Sequence, residues 1–395
     1  MKRVYIIGMG MGADSLTSEA ITALNEVQLI IGASRLTDIF NRSDCDIRSA
    51  VKPQEIAEII VKSSMERIAV LVSGDVGFYS GAKVVSELLS DCDIIFISGI
   101  SSVNYFFAKC KLPWQNAKLI SAHGRDCDIV SAVRRDTYVF ALTGGNVRDL
   151  AQSLYNVGFG NLIVRVGENL GTSDEKIYSA AVSELLVSSC PTLTVLIIEN
   201  PSADKRVRTG IPDSEFIRTG IPMTKSAVRA VTLSKLGLHE SAVCYDIGCG
   251  TGSVTVEMAL SAFEGKVFAF DKDMAAIGLT KENCRKFKVG NVQCICGSAP
   301  EIIDGYPAPD FAFIGGSGGK IADIVSALRS KNPQVRIVIN AVSPQTASNA
   351  IYALECVGLA SDIVQVSTSN GRYIGSAHMM IADNPVYIIS GGGAY

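Results

Sequence analysis

Tyr245-Asp246-Ile247-Gly248-Cys249-Gly250-Thr251-Gly252 is the stretch that decides the fold of this 395-residue chain. An apolar run precedes it, a helix-like pattern follows at 254–260, and Asp271 stands nineteen residues beyond Gly252. Alternating glycines let the main chain turn tightly and approach a ligand. Asp271 ends the predicted strand 266–270, where a carboxylate accepts both hydroxyls of a ribose. The stretch therefore predicts a nucleotide pocket that holds a free ribose.

The spacing of the glycines distinguishes two kinds of nucleotide. A dinucleotide fingerprint has the pattern G-x-G-x-x-G/A, whereas here Ser253 follows the third glycine and Asp246 precedes the loop. The pattern D-x-G-x-G-x-G resembles the first motif of Rossmann-like methyltransferases, whose loop holds the amino-acid part of S-adenosylmethionine. We therefore favour a methyltransferase. An NAD(P)-dependent oxidoreductase and a purely structural glycine turn are the alternatives.

The composition favours a folded chain with more than one domain. Hydrophobic residues make up 48% of the chain and charged residues 19%, and 395 residues exceed the usual size of one domain. Many short runs rich in valine and isoleucine indicate strands buried on both faces, so we expect an α/β fold. No apolar run is long enough to span a bilayer, and glycines interrupt the amino-terminal run too early for a signal peptide. We therefore expect no membrane partner.

Charge and cysteine content narrow the function further. The net charge of −3 and the pI near 5.8 lack the positive field of nucleic-acid binders, so we expect no nucleic-acid partner. Eleven cysteines include no C-x-x-C pair and only three histidines accompany them, so we predict no metal site. Scattered thiols suit a reducing compartment, and we expect the cytoplasm.

Two domains and a linker are predicted from the pattern along the chain. Strand-like runs at 4–7, 27–31, 68–72, 94–97, 138–142, 162–166 and 194–198 alternate with helix-like stretches, which predicts an α/β domain at 1–202 with two lobes. Residues 203–222 are polar and contain Arg-Thr-Gly-Ile-Pro twice, which we interpret as a linker with an accidental repeat rather than a functional spacer. Residues 223–395 alternate helices with strand-like runs at 242–245, 266–270, 311–314, 335–340, 363–366 and 386–389, which predicts a doubly wound, largely parallel sheet.

The first domain has its own set of turns at strand ends. Residues 8–13 formally satisfy G-x-G-x-x-A, but residues 32–35 offer no acid for a ribose, so we reject a dinucleotide there. Ser73-Gly74-Asp75-Val76-Gly77-Phe78-Tyr79-Ser80-Gly81 follows a buried strand, and further turns lie at 99–102, 121–125, 142–145 and 167–171. Such a set indicates a second site. Taken singly, Asp75 and Ser101 have a plainer interpretation as helix caps, and His123 as a loop histidine.

Taken together, these motifs resemble a known family. The first domain is similar to the tetrapyrrole methylases at 73–79, 99–102, 112–115, 123–125 and 167–171. The second is similar to their C15-methylating, decarboxylating partner at 221–225, 246–252, Asp271 and 315–319. The whole chain resembles the fused precorrin methyltransferases of cobalamin biosynthesis. It departs from their usual pattern at Met11 and Val76, where proline is usual, and at Ser298, where aspartate is usual.

The resemblance implies two S-adenosylmethionine sites and a small-molecule tetrapyrrole substrate, methylated at C5 and C15 with loss of the C12 acetate carboxyl group. It places the first donor site at Gly74, Asp75, Phe78, Ser101, Ser102 and Leu142, and the second at Thr224, Gly248, Cys249, Gly250, Thr251, Gly252, Asp271 and Ala299. Carboxylates of the substrate would meet Arg35, His123, Arg125, Lys225, Gly315, Gly316, Gly318 and Arg372. It implies a homo-oligomer and assigns no catalytic side chain. A donor-binding sensor and an RNA methyltransferase are further alternatives, the latter opposed by the acidic charge balance.

Overall fold

The structure is a computed structural model that describes residues 1–40, 43–122, 128–375 and 377–393. It falls into two compact units. The first comprises Met1–Cys127, Asp136–Ala151 and Asn161–Pro201, and the second comprises Asp128–Arg135, Gln152–Gly160 and Ser202–Tyr395. The second unit takes in the predicted linker, and the domain boundaries proposed from the sequence stay predictions. No helix in the described part of the chain is both long and apolar enough to cross a membrane.

The described residues up to the linker form these elements in chain order: β1 (Arg3–Gly8), α1 (Ser18–Glu26), β2 (Leu29–Gly32), α2 (Ser34–Thr37), β3 (Asp46–Ser49), α3 (Pro53–Lys62), β4 (Arg67–Val72), α4 (Ala82–Leu88), β5 (Asp93–Ile97), α5 (Ser102–Lys109), β6 (Lys118–Ser121), α6 (Ile129–Arg135), β7 (Tyr138–Leu142), α7 (Val147–Asn156), β8 (Ile163–Glu168), β9 (Lys176–Ala181) and β10 (Thr194–Glu199). The strands predicted in this half are confirmed, whereas β3, β6 and β9 were not predicted.

The first unit contains two five-stranded sheets, which matches the two lobes expected from the sequence. One sheet is parallel throughout, in the order β3-β2-β4-β1-β5. The other has the order β6-β7-β10-β8-β9, in which only β6 and β7 are parallel neighbours. Buried apolar residues line β1 and β4, so the first sheet carries its core on both faces.

The described residues after the linker form these elements: α8 (Ser226–Leu236), β11 (Val243–Ile247), α9 (Ser253–Ser261), β12 (Lys266–Asp271), α10 (Met274–Lys286), β13 (Val292–Cys296), β14 (Phe311–Ile314), α11 (Ile321–Lys331), β15 (Arg336–Ala341), α12 (Pro344–Cys356), β16 (Ser361–Val366), β17 (Ser369–Ile374), β18 (Ala377–Ala382) and β19 (Val386–Gly391). The strands predicted in this half are confirmed, and β13, β17 and β18 were not predicted.

A seven-stranded sheet organises the second unit. Its order is β13-β12-β11-β14-β15-β19-β16, with β19 antiparallel to both neighbours and the first five strands parallel. Successive residues of β11 face opposite layers: Cys244 packs with α8 and α9, and Tyr245 packs with α11 and α12. The sheet is therefore covered on both faces, and the doubly wound, largely parallel fold is confirmed. Its central parallel strands end at one edge, where ligands of such folds bind.

Strands of the first unit approach each other closely at their carboxyl ends. A Cβ added to Gly8 would lie 2.6 Å from the carbonyl oxygen of Gly74, and one added to Gly99 would overlap the carbonyl oxygens of both Gly8 and Gly74. The amides of Gly10 and Gly74 also donate to each other's carbonyl oxygens, at 3.0 and 3.2 Å. Only glycine fits here, because the neighbouring atoms belong to the main chain and cannot rotate away.

We expect Gly99→Ala to lower the free energy of unfolding by about 2–3 kcal/mol, because the added methyl group overlaps main-chain atoms. Gly81→Ala is the matched control in the same unit, since its Cβ would lie 3.8 Å from Pro53, an ordinary contact. Urea denaturation of the two variants checks the difference. Equal unfolding midpoints would show that the strand ends relax to admit the methyl group.

Candidate functional site

A cavity of about 700 Å³ lies at the carboxyl ends of β11, β12, β14 and β15 in the second unit. Of the site residues predicted for this half, it is lined by Thr224, Lys225, Gly248, Cys249, Gly250, Thr251, Asp271, Ala299, Gly315, Gly316 and Gly318. Gly252 and Arg372 are not among its lining residues. The structure therefore brings most of the second predicted set together around one space.

The glycine loop between β11 and α9 is held by main-chain contacts. The amides of Gly248 and Cys249 donate to the carbonyl oxygen of Phe270, at 2.8 and 3.1 Å. Gly248 has a φ of 76°, and a Cβ there would lie 2.6 Å from the amide nitrogen of Gly316. Gly252 caps α9 with a φ of 74°, and its Cβ would lie 2.8 Å from Thr280. Gly252 thus supports the packing behind the loop.

Asp271 stands at the end of β12 with both carboxylate oxygens fixed. Its Oδ2 accepts a hydrogen bond from the amide of Gly250 at 3.0 Å, and its Oδ1 accepts one from the amide of Asp273 at 3.0 Å. The two amides orient the carboxylate beside the glycine loop, and the residue lines the cavity. This is the position that the sequence analysis gave to a ribose-binding acid.

Asp246 is buried beneath the glycine loop. Its Oδ2 accepts a hydrogen bond from the Thr255 hydroxyl at 2.5 Å, whereas its Oδ1 has no partner among the described residues. Burial raises the pKa of Asp246 to about 7, and the charge of nearby Asp271 adds to the effect. Asp246 therefore carries a proton over much of the acidic range.

A buried ion pair fixes Thr224 at the cavity. Arg229 and Glu257 are fully buried, and the Arg229 Nε lies 2.5 Å from a Glu257 oxygen. Arg229 Nη1 also donates to the Thr224 carbonyl oxygen at 2.5 Å. Glu257 in turn accepts the amides of Gly210 and Ile211, at 2.7 and 2.9 Å. This pair was not predicted, because nothing in the local sequence pattern links α8 to α9.

The predicted linker contributes directly to the second unit. Ile217 exchanges hydrogen bonds with the buried side chain of Asn283, through its amide at 2.8 Å and its carbonyl oxygen at 3.1 Å. Asn283 also donates to the Thr251 carbonyl oxygen at 2.9 Å, which ties the segment to the glycine loop. Ile221 and Pro222, from the second Arg-Thr-Gly-Ile-Pro copy, line the cavity.

Other lining residues were not predicted. Asn340 ends the predicted strand 335–340, so the strand-end argument could have identified it. Asp383 and Asn384 follow β18, for which the sequence gave no strand signal. Arg372 lies on β17 and is exposed, and Lys225 is 41% exposed with its Nζ 3.8 Å from Asp213.

In the first unit, Asp75 and Ser101 support turns. Asp75 accepts the amides of Gly77 and Gly99, at 2.8 and 3.2 Å. Ser101 caps α5 by accepting the Asn104 amide at 3.3 Å, which confirms the plainer interpretation of this serine as a cap.

The remaining first-unit positions are spread over several elements. Ser102 begins α5, Leu142 ends β7, and Arg35 is exposed on α2. Phe78 lines a second cavity of about 490 Å³ together with Tyr79 and Phe96. His123 and Arg125 lie outside the described residues.

The fold and the cavity of the second unit define the class of protein. A largely parallel sheet in this order, a glycine loop after β11 and an acid at the end of β12 define a Rossmann-like nucleotide-binding domain. The D-x-G-x-G-x-G spacing of the loop is that of S-adenosylmethionine-dependent methyltransferases.

Comparisons with known proteins specify the family. Residues 215–391 match the model of the precorrin methyltransferase domain, and residues 3–186 match that of the tetrapyrrole (corrin/porphyrin) methylases. A probable cobalt-precorrin-6B C(15)-methyltransferase (decarboxylating) of Sulfurisphaera tokodaii is 42% identical over 185 residues, which cover 46% of this chain and 96% of that protein. A precorrin-6Y C(5,15)-methyltransferase [decarboxylating] of Sinorhizobium is 28% identical over 94% of this chain and 91% of its own.

Among solved structures, a precorrin-6Y C5,15-methyltransferase of Geobacter metallireducens is 37% identical, with a TM-score of 0.45, over 47% of this chain and 97% of its own. The chain belongs to the precorrin methyltransferase family, in a fused form with a tetrapyrrole methylase domain ahead of the precorrin methyltransferase domain.

The buried Asp246 predicts a pH dependence of stability. Because its pKa rises from 3.8 to about 7 on folding, the folded state binds the proton more tightly, and the free energy of unfolding falls as pH increases between these values. Asp246→Asn removes this contribution. The thermal midpoint followed from about pH 5 to about pH 8 should therefore fall less in Asp246→Asn than in the wild type.

Thr255→Val provides a second check of the same group. The Thr255 hydroxyl lowers the pKa of Asp246, so its loss should extend the decline in stability to higher pH. Identical pH profiles for all three proteins would contradict the assignment.

Proposed function

We propose that this chain methylates a precorrin at C5 and at C15 with S-adenosylmethionine and removes the carboxyl group of the C12 acetate side chain. One observation carries the proposal. The second unit has a glycine-lined cavity with the fixed carboxylate of Asp271 at its edge, and the chain is similar over 94% of its length to a decarboxylating C(5,15)-methyltransferase. The C15 step and the decarboxylation belong to the second unit, whose relatives bear those activities in their names. The C5 step belongs to the first.

The second-unit cavity fits S-adenosylmethionine in size and chemistry. Its volume of about 700 Å³ lies in the usual range for small-molecule sites. The absence of a Cβ at Gly248 lets the main chain of Gly316 pack against the glycine loop, and Asp271 has an oriented carboxylate that can accept ribose hydroxyls. Thr224, fixed by Arg229, closes another part of the wall. When bound, S-adenosylmethionine supplies an activated methyl group.

The chain contributes alignment more than acid–base chemistry. The electron-rich macrocycle supplies the attacking carbon, so no side chain must become a strong nucleophile. Holding the reacting atoms about 3–3.5 Å apart in line supplies about 7–11 kcal/mol of the barrier. Methylation at C15 leaves the macrocycle short of electrons, and loss of carbon dioxide from an ionised acetate returns an electron pair to it. The two events therefore balance in charge without an added oxidant or reductant.

A second donor site is proposed in the first unit. Asp75 joins the turn 73–81 to the segment before α5 by accepting the amides of Gly77 and Gly99, and Phe78 borders the smaller cavity. These features support a site built from main-chain turns, like that of the second unit. The homo-oligomeric state and the cytoplasmic location expected from the sequence stay predictions.

Calorimetric titration with S-adenosylhomocysteine tests the number of donor sites, and two binding events per chain are expected. A single event would remove one of the two proposed sites, and none would exclude methylation altogether. Incubation with S-adenosylmethionine and precorrin-6B, metal-free or loaded with cobalt, followed by mass analysis, tests the reaction itself. The expected product carries two added methyl groups and has lost carbon dioxide.

Asp271→Ala should weaken donor binding in the second unit and leave C5 methylation intact. The oriented carboxylate is lost while the first unit is unchanged, so the product should carry one added methyl group and retain the acetate carboxyl group. Calorimetry should show one binding event where the wild type shows two. Two methyl additions with unchanged loss of carbon dioxide would show that Asp271 does not hold the donor.

A further inference from the structure

An ion pair joins two loops that line the second-unit cavity. Glu301 follows the loop that contributes Gly297, Ser298 and Ala299 to the wall, and Lys320 follows the glycine run 315–319. The Lys320 Nζ bonds to the Glu301 Oε1 across the gap between these loops. The hydrogen bond from Lys320 lowers the pKa of Glu301, so this carboxyl group is ionised at neutral pH. Glu301 and Lys320 thus each stand two residues beyond a lining residue, Ala299 and Gly318 respectively.

This ion pair is poorly suited to a structural role. The two side chains are 43% and 56% exposed, and exposed ion pairs add little net stability, because water and salt screen them. In the glycine run before Lys320, Gly318 and Gly319 have φ values of 56° and 87°, and beyond their chain neighbours no atom lies within 4 Å of the position where a Cβ would stand. Lys320 therefore projects from a turn with open space beside it.

The partner of Lys320 has the same chemistry as the side chains of the substrate. Precorrins carry acetate and propionate groups, and Glu301 ends in the carboxylate that a propionate also has. Exchanging one carboxylate for another on Lys320 keeps the charge-assisted hydrogen bond and breaks only a weak, exposed pair. A substrate that brings its own carboxylate can therefore replace Glu301 on Lys320 at little cost in free energy.

We infer that Lys320 binds a peripheral carboxylate of the precorrin, and that Glu301 holds this lysine in place until the substrate displaces it. The inference rests on the proposed function and names a specificity-determining residue of the same site. The carboxylate bound by Lys320 is not the departing one, because a bound cation would stabilise that carboxylate against loss of carbon dioxide. Lys320 therefore acts on substrate binding and leaves the chemical steps unchanged.

Two substitutions, one on each side of the ion pair, distinguish substrate binding by Lys320 from a purely structural role of the pair. Lys320→Ala removes the binding cation and should raise the KM for the precorrin about tenfold with kcat retained, as expected for loss of one charge-assisted hydrogen bond. Glu301→Gln removes the competing carboxylate and should lower the KM roughly twofold or more. Both variants break the same ion pair, so a mere tether would move the KM in the same direction in both.

Lys331→Ala is the matched control, because Lys331 lies at the opposite end of α11 from Lys320, is half-buried and donates to the Asp304 carbonyl oxygen. It should leave the KM unchanged. Raising the salt concentration should increase the KM of the wild type more than that of Lys320→Ala.

Two measurements keep this inference distinct from the proposed function. If wild-type protein binds no S-adenosylhomocysteine and converts no precorrin, the proposed function fails. If the wild type is active but Lys320→Ala keeps its KM, or both variants shift the KM in the same direction, only the role of Lys320 is overturned. S-adenosylhomocysteine affinity should be equal in the wild type and both variants, which excludes a general disturbance of the cavity.

Discussion

Main chain packed directly on main chain at strand ends is the constraint on which both units depend. In the second unit, Gly248 at the end of β11 leaves space for Gly316 after β14. In the first, Gly8, Gly74 and Gly99 meet in the same way at the ends of β1, β4 and β5. These contacts bring the following loops to one edge of each sheet, and the second-unit cavity opens at such an edge. The close approach of the strand ends also sets the position of Asp271 beside the glycine loop, where its Oδ2 accepts a hydrogen bond from the Gly250 amide.

Strands could be predicted from the sequence where their burial produces a run of apolar residues. Strands such as β11, β12 and β15 are apolar runs buried on both faces, and the acid at the end of β12 follows from the length of one strand–helix–strand unit. The strands β17 and β18 are exposed along their whole length, so they carry no apolar periodicity that could reveal them. The strand β13 mixes exposed and half-buried positions and was missed for a related reason.

The glycines of the site could be predicted from the sequence, but the buried side chains that hold the site together could not. The segment 203–222 is polar, which predicted a linker, but polarity describes its side chains and says nothing about its main chain. That main chain is bound by Glu257 and Asn283, two buried side chains on other elements. The two Arg-Thr-Gly-Ile-Pro copies have different surroundings: Ile211 is buried against the ion pair, and Ile221 faces the cavity. Pairing of residues across helices requires the tertiary fold, which a single sequence does not encode in any local pattern.

The glycine loop of the cavity is more sensitive to substitutions that enlarge a residue than to substitutions that shorten one. Truncating Cys249 or Thr251 to alanine leaves the peptide groups of the loop where they are, whereas one extra methyl group at Gly248 collides with Gly316. Alanine scanning in its usual form, which shortens side chains, would leave this glycine loop nearly unmarked. A scan that enlarges residues would instead outline it, with the sharpest losses at positions that have no side chain to remove.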